Sequence, residues 1–383
     1  MRIAIIDADL IGRKKHRFPN LASEKIAGYW LEKGANIELK LDYNKLDLYD
    51  EVYISKVFTD TPFPNYIHET KKIHLGGTGF FFDKAPNLPD EIEHHMPHYH
   101  LYDKWIASEV KKAKTEAKRK KEKFDEKNFM KQFKGYTDYS IGFLTRGCFR
   151  KCEFCVNQNY DHVFKHSSLD EFYDSDRKKI CFLDDNFLGY AHSKELFQEI
   201  LEKNKEFTFK QGLDERLLTD EKCRLLFQAK YDGDYTFAFD KNSDYDIIHE
   251  KLKIIRRWTK VSKIKFYVLV GFESTDECDI ENAFKRIELL FRYQCLPYVM
   301  RYQNRNEIPW KESKYKGMYI TLARWANQPN IVKKMSFRQF CEGNQALKKT
   351  EGLCSSMLAL TQFEKDYPGI AMKYFDMRYE DYK

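Results

Sequence analysis

Short apolar runs alternate along this chain with stretches in which apolar residues recur every third or fourth position. That is the rhythm of strands alternating with helices. The run Arg2–Asp7 (RIAIID) predicts a first strand. Ala22–Lys33 places Ile26, Ala27, Trp30 and Leu31 on one helical face, and Gly34 is suited to end that helix in a left-handed turn. Asn36–Leu39, Glu51–Ser55 and Lys72–Leu75 predict three more strands, the last running into Gly76-Gly77-Thr78-Gly79. Residues 1–85 therefore read as a small open parallel sheet. Pro86–Tyr102 has no clear period and reads as a connection, with His94, His95, His98 and His100 as an unsupported metal motif. Trp105–Phe133, rich in Ala, Lys, Glu and Arg, predicts one long solvated helix bridging two domains, so 86–135 is a connector with a basic helix.

From Tyr139 the strand-then-helix unit repeats. Strands are expected at Tyr139–Leu144, Lys179–Leu183, Phe207–Phe209, Tyr235–Phe239, Lys265–Val270 and Pro297–Arg301. Helices are expected near Asp170–Tyr173 and at Ser193–Glu202, Asp220–Gln228 capped by Thr219, Tyr245–Trp258 and Asp279–Tyr293. These form a domain over 136–305. The segment 306–383 reads as helical, with Ser336 capping Phe337–Leu347 and a charged tail, Tyr374–Lys383, expected to fray. The chain is thus predicted to be α/β.

The first of these later strands leads into Arg146-Gly147-Cys148-Phe149-Arg150-Lys151-Cys152-Glu153-Phe154-Cys155. Three thiols in Cys-x3-Cys-x2-Cys spacing are soft ligands, suited to zinc, copper(I) or an iron–sulfur cluster. A cubane cluster normally takes four cysteines, so three would leave one iron open to a small molecule. No second Cys-x2-Cys arm follows, as a zinc site would have. The motif, with Phe154 before its third cysteine, resembles the signature of the radical S-adenosylmethionine (SAM) superfamily. The resemblance spans about Tyr139–Tyr302. It implies a partial (β/α)6 TIM-like barrel preceded by a small Rossmann-like domain. It further implies a [4Fe-4S] cluster on Cys148, Cys152 and Cys155 that binds SAM at its open iron and cleaves it to a 5′-deoxyadenosyl radical. The electron would come from a reducing donor such as flavodoxin or ferredoxin.

In parallel barrels the chemistry gathers at the C-terminal strand ends. Those ends carry Asp184, Asp185, Asn186, Gln211, Asp214, Arg216, Asp240, Glu273, Arg301 and Gln303, and some of these are expected to serve only as helix caps. The resemblance places Phe154 against adenine and Asp184-Asp185-Asn186 at the methionyl amine, where the family more often has Gly-Gly-Glu. Gln211, Asp214 and Arg216 become candidates for the ribose or carboxylate, and Asp240 a further cofactor contact. The first domain weakly resembles the cobalamin-binding domain that precedes many such barrels. Asp7-Ala8-Asp9-Leu10-Ile11-Gly12, Ser55-Lys56-Val57 and Gly76-Gly77 carry that likeness, but Asp9 stands where the cobalt-ligating histidine would be. The related methylthiotransferases have three further cysteines in their first domain; this chain has none before Cys148.

Composition adds limits. No apolar run reaches the length of a membrane span, the first residues show no secretory pattern, and nine cysteines without a signal fit a reducing cytoplasm. The net charge is +7, but eleven Lys/Arg against five Asp/Glu lie between Ser108 and Lys134, so the rest is close to neutral. Nucleic acid is accordingly a candidate partner for 111–123 alone. Three readings follow: a radical SAM enzyme that abstracts hydrogen from an unidentified substrate, a cobalamin-dependent radical SAM methyltransferase, or a zinc-containing nucleic-acid-binding protein.

Overall fold

The computed structural model describes residues 1–14, 18–82, 85–260, 263–304 and 307–382. The protein is α/β, and its chain forms two compact units. One comprises Met1–Arg146, Phe164–Asp184 and Glu202–Thr208; the other comprises Gly147–Val163, Asp185–Leu201 and Phe209–Lys383.

In the first unit, β1 (Arg2–Asp7), β2 (Asn36–Leu39), β3 (Glu51–Ser55) and β4 (Ile73–Gly76) pair in parallel in the order β2-β1-β3-β4. β1 is central, and Ile3, Ala4, Ile5 and Ile6 are fully buried. A strand covered on both faces has no reason to alternate, which is why it reads as a continuous apolar run. Gly34 does adopt the left-handed conformation, at φ +75°. A second parallel sheet, in the order β5-β8-β9, joins β5 (Tyr139–Gly142), β8 (Lys179–Phe182) and β9 (Glu206–Phe209). Between these in sequence, β6 (Thr145–Arg146) and β7 (Phe164–Lys165) form a short antiparallel pair.

Two expectations for this unit change. Pro86–Tyr102 is not a loose connection: Ile92, Tyr99, Leu101 and Tyr102 are buried. Tyr99 Oη donates to Phe172 O (2.7 Å) and accepts from Ile141 N (2.7 Å), tying the segment to β5. Tyrosines that bury their rings and satisfy backbone groups need no period, so the pattern hides them. The long basic helix is also shorter than expected. It spans Asp103–Lys120 and ends where Lys121 turns left-handed (φ +59°); Asp125 then caps a new helix, Glu126–Met130. Its first turn packs through Trp105 and Ile106 against Phe133 and Tyr136.

In the second unit, β10 (Tyr235–Ala238), β11 (Ile264–Val270) and β12 (Leu296–Arg301) form a parallel sheet in chain order. The helices Asp220–Gln228, Tyr245–Trp258 and Glu277–Arg292 follow the expected pattern, and Thr219 caps the first. Ser336 builds a capping box with Gln339 at the start of Phe337–Ala346. No helix among the described residues is long and apolar enough to cross a membrane. The tail does not fray. Tyr374, Phe375 and Tyr379 are buried, and Tyr379 Oη donates to Gln294 O (2.7 Å). Phe284 gathers the rings of Phe337, Tyr374 and Phe375 around it. The aromatic spacing of the tail outweighs its charge.

β12 is closed by a side chain. Asn327 accepts from Val299 N (2.6 Å) through Oδ1 and donates to Val299 O (3.0 Å) through Nδ2, imitating one more strand. Leaving two buried backbone groups unpaired costs about 1–3 kcal/mol each. Asn327→Ala should therefore lower unfolding free energy in urea by about 2–4 kcal/mol; a change below about 0.5 kcal/mol would show that water takes over the pairing.

Candidate functional site

The cysteine loop belongs to the second unit, and its shape begins with its backbone. Gly147 (φ +89°) and Lys151 (φ +49°) are both left-handed, which turns the chain sharply before and after Cys148. Cys155 N bonds to Cys152 O at 2.9 Å, closing a tight turn between the last two thiols. Backbone N–H groups point at sulfur: Arg150 N donates to Cys148 Sγ and Asn157 N to Cys155 Sγ, each at 3.4 Å. Burial pushes the Cys152 and Cys155 thiols up. Arg216 opposes that shift at Cys152, while the neighbouring cysteines add to it at both, so the three thiols lie in one another's field.

Two carboxylates hold the loop. Asp185 accepts from Gly147 N (2.8 Å), just before the first cysteine, and from Asn157 Nδ2 (3.0 Å), just after the last. It staples the two ends of the loop together. Asp214 accepts from Arg150 Nε (2.6 Å), inside the motif, and from Arg216 Nε (2.8 Å). Arg216 continues to Asp244 at 3.0 Å. Burial, the largest influence on Asp214, pushes its pKa up, but the two guanidiniums outweigh it and hold it below the usual range. Asn186 completes the group: Nδ2 lies 3.4 Å from both Cys148 Sγ and Asp214 Oδ2. Its Oδ1 is buried without a partner among the described residues.

The strand ends nearby are braced by buried ionisable groups. Arg286, on the helix Glu277–Arg292, is 2% exposed and donates to Phe239 O (2.8 Å), Asp240 O (2.7 Å) and Leu269 O (2.9 Å). It thereby fixes the C-terminal ends of β10 and β11. Asp240 has its pKa pushed up to about 6 by burial, with Arg286 and Arg216 opposing. Glu215 accepts from Ala238 N (3.1 Å), beside the isolated bridge of Leu213 to Phe237. Phe154 packs edge-on to Phe272 (5.4 Å), which packs edge-on to Tyr302 (4.8 Å). Glu273 and Gln303 are exposed, and Arg301 lies over the Trp310 ring at 4.6 Å.

Other expected site residues have different employment. Asp184 belongs to the first unit, is 1% exposed, and accepts from Thr145 N (2.6 Å) and Thr145 Oγ1 (2.7 Å). It secures the turn after β5, and burial raises its pKa to about 6. Gln211 is exposed and makes no side-chain hydrogen bond among the described residues. Asp9 accepts from Val57 N (2.6 Å), Phe58 N (3.4 Å) and Thr61 Oγ1, so both of its oxygens fasten the loop after β3. It does not fit the part of an axial cobalt ligand. The histidines disperse to separate partners: His94 to Glu171 (2.7 Å), His95 to Glu32 (2.6 Å) and His100 to Asp103 (2.8 Å). Among the described residues no three His, Cys, Asp or Glu side chains converge closely enough to hold a metal ion as they stand. The three thiols nevertheless suit an iron–sulfur group in kind, since they are soft donors on one loop with N–H groups aimed at sulfur.

Sequence reasoning missed Arg150, Asn157, Asp244, Glu215 and Arg286 as parts of this architecture. Arg286 left a signal, for it stands on a stripe with Ala283, Phe284, Ile287 and Leu290, all buried. A charge on an apolar stripe is bonded to something. Arg150 left none, because its partner Asp214 is sixty-four residues away.

Burial, followed by the adjacent Asp214 charge, pushes the Glu215 pKa up to about 8. A folded-state value above the unfolded one means the native state holds the extra proton, so stability is full at low pH and falls as pH rises through about 8. Asp184 and Asp240, each at about 6, titrate lower, and Glu24, also held well above its ordinary range by burial, is common to wild type and variant, so the difference between the two proteins from about 6 to about 8 reads Glu215. Glu215 should contribute a decline there with a slope approaching about 1.4 kcal/mol per pH unit. Glu215→Gln, measured by urea unfolding across that range, should flatten the decline; parallel curves would mean that Glu215 is charged in the folded state.

No family model matches this chain, and no curated protein matches it.

Proposed function

We propose that this protein is a radical SAM enzyme that holds a [4Fe-4S] cluster on Cys148, Cys152 and Cys155 and abstracts hydrogen from its substrate. The observation that carries the reading is the cysteine loop itself: three thiols on one turn, stapled by Asp185 and anchored through Arg150 to Asp214. In this reading the strands β5, β8, β9, β10, β11 and β12 are the six strands of a partial (β/α)6 barrel. The four-stranded parallel sheet before them is the Rossmann-like domain.

When bound, the cluster would supply the electron that cleaves SAM to methionine and a 5′-deoxyadenosyl radical. The chain's own residues supply position. Asn186 Oδ1, an acceptor without a partner, suits the methionyl ammonium. The Nη atoms of Arg150, which make no hydrogen bond among the described residues, suit the carboxylate. Phe154, braced by Phe272, offers an apolar surface to adenine. Asp184 and Asp185 are assigned to loop structure rather than to the ammonium, because their oxygens are engaged by backbone N–H groups and by the side chains of Thr145 and Asn157. Asp9 gives no support to cobalamin, and no step is assigned to it.

Anaerobic reconstitution with iron and sulfide tests this. The wild type should bind iron with acid-labile sulfide and give a reduced paramagnetic signal that changes on adding SAM, with 5′-deoxyadenosine released on turnover. The triple variant Cys148→Ala, Cys152→Ala, Cys155→Ala should bind neither iron nor sulfide. Stoichiometric zinc in the freshly isolated wild type, with a signal blind to SAM, would instead support a zinc-containing nucleic-acid-binding protein.

A nucleic-acid partner has its own observation. From Lys111 to Lys120 the helix Asp103–Lys120 is exposed at every position except Ala113 and Ala117. About 15 Å of helix therefore reaches into solvent. Lys118 and Lys121 make no ion pair among the described residues, while Lys120 pairs with Glu116 at 2.9 Å. Binding to a DNA duplex should weaken steeply with salt, and replacing Lys118, Arg119, Lys120 and Lys121 by Ser should lower the log–log salt slope by up to about 3.6. An unchanged slope would make this a solvated helix and nothing more.

A further inference from the structure

Asn186 does more in this geometry than present an oxygen. Its Nδ2 lies 3.4 Å from Cys148 Sγ, and the same nitrogen lies 3.4 Å from Asp214 Oδ2. A carboxylate only accepts hydrogen bonds, so the atom facing Asp214 is the nitrogen and the amide cannot be turned over. Asp214 is held in turn by Arg150 and Arg216. The N–H that reaches sulfur is thus fixed in direction by three charged residues. Asn186 is 4% exposed, so water does not compete for that bond.

We infer that Asn186 is a positioning residue that tunes the reduction potential of the iron–sulfur group, by donating from Nδ2 to the Cys148 thiolate; this rests on the function proposed above. A donor aimed at a ligating sulfur draws off its negative charge. Reduction adds one electron to the cluster, so the added charge is stabilised and the potential rises. Two further donors, Arg150 N and Asn157 N, are backbone groups that a substitution at position 186 does not delete. Among the described residues Asn186 is the side-chain donor to these sulfurs, and substitution removes it.

The test compares the wild type with Asn186→Leu, which keeps the branched skeleton and loses the donor, and with Asn186→Asp, which keeps the shape and brings an acceptor. Each is reconstituted, assayed for iron and sulfide, and titrated against a chemical one-electron reductant with the reduced signal as readout. At a fixed potential the ratio of reduced to oxidised cluster should fall about tenfold in Asn186→Leu, equivalent to ~59 mV for a one-electron couple. It should fall further in Asn186→Asp. Equal potentials in all three loaded proteins would overturn the inference and leave the proposed function standing. Loss of loading in both variants, with the wild type loaded, would also overturn it, since Asn186 would then shape the loop. A wild type that takes up no cluster would remove the proposed function itself.

Discussion

One carboxylate, Asp214, sets the candidate site. It follows β9, is 7% exposed at its side chain, and takes a guanidinium nitrogen from each of two arginines. Arg150 ties it to the middle of the cysteine loop, Arg216 ties it onward to Asp244, and Asn186 links it to Cys148. A carboxylate buried alone would take up a proton; buried between two cations it stays charged and becomes rigid. Breaking such a buried group by removing one partner typically costs about 3–5 kcal/mol. The loop that carries the three thiols is therefore positioned by ion pairs as well as by its own turns.

The rest of the second unit follows the same logic. Parallel strands end in carbonyls and N–H groups that the ladder does not satisfy, and the protein answers with buried polar side chains. Arg286 meets three such carbonyls with one guanidinium. Asn327 meets the edge of β12 with one amide. Glu215 meets an N–H of β10 with a carboxyl that burial keeps protonated well above the ordinary range. These side chains let short strands of four to seven residues hold their ends in register.

Periodicity made the elements legible and left the contacts between them obscure. β1, β2 and β3, and the helices Ser193–Glu202, Asp220–Gln228 and Tyr245–Trp258, lie where the pattern put them, because local apolar spacing decides both. The Pro86–Tyr102 segment and the tail were misread for one reason. Each packs through irregularly spaced aromatic rings, and in each a tyrosine hydroxyl, that of Tyr99 or of Tyr379, donates to a distant backbone carbonyl. The strand-end residues were found by position but not by role. Nothing in Asp184-Asp185-Asn186 says that the first carboxylate turns to Thr145, the second to Gly147, and the amide to Cys148.

That last triplet carries a general point about reading a strand end. Three consecutive polar residues after β8 look interchangeable as ligands for an ammonium group. Yet an acceptor already engaged by two or three donors has little left to offer, while one buried and unengaged is unfavourable until something binds it. Asp184 and Asp185 are in the first state and Asn186 Oδ1 is in the second. On the proposed function, the residue to meet the cofactor is thus the uncharged one. Asp184 holds the turn after β5, and Asp185 gives the cysteine loop the rigidity that makes its orientation reproducible.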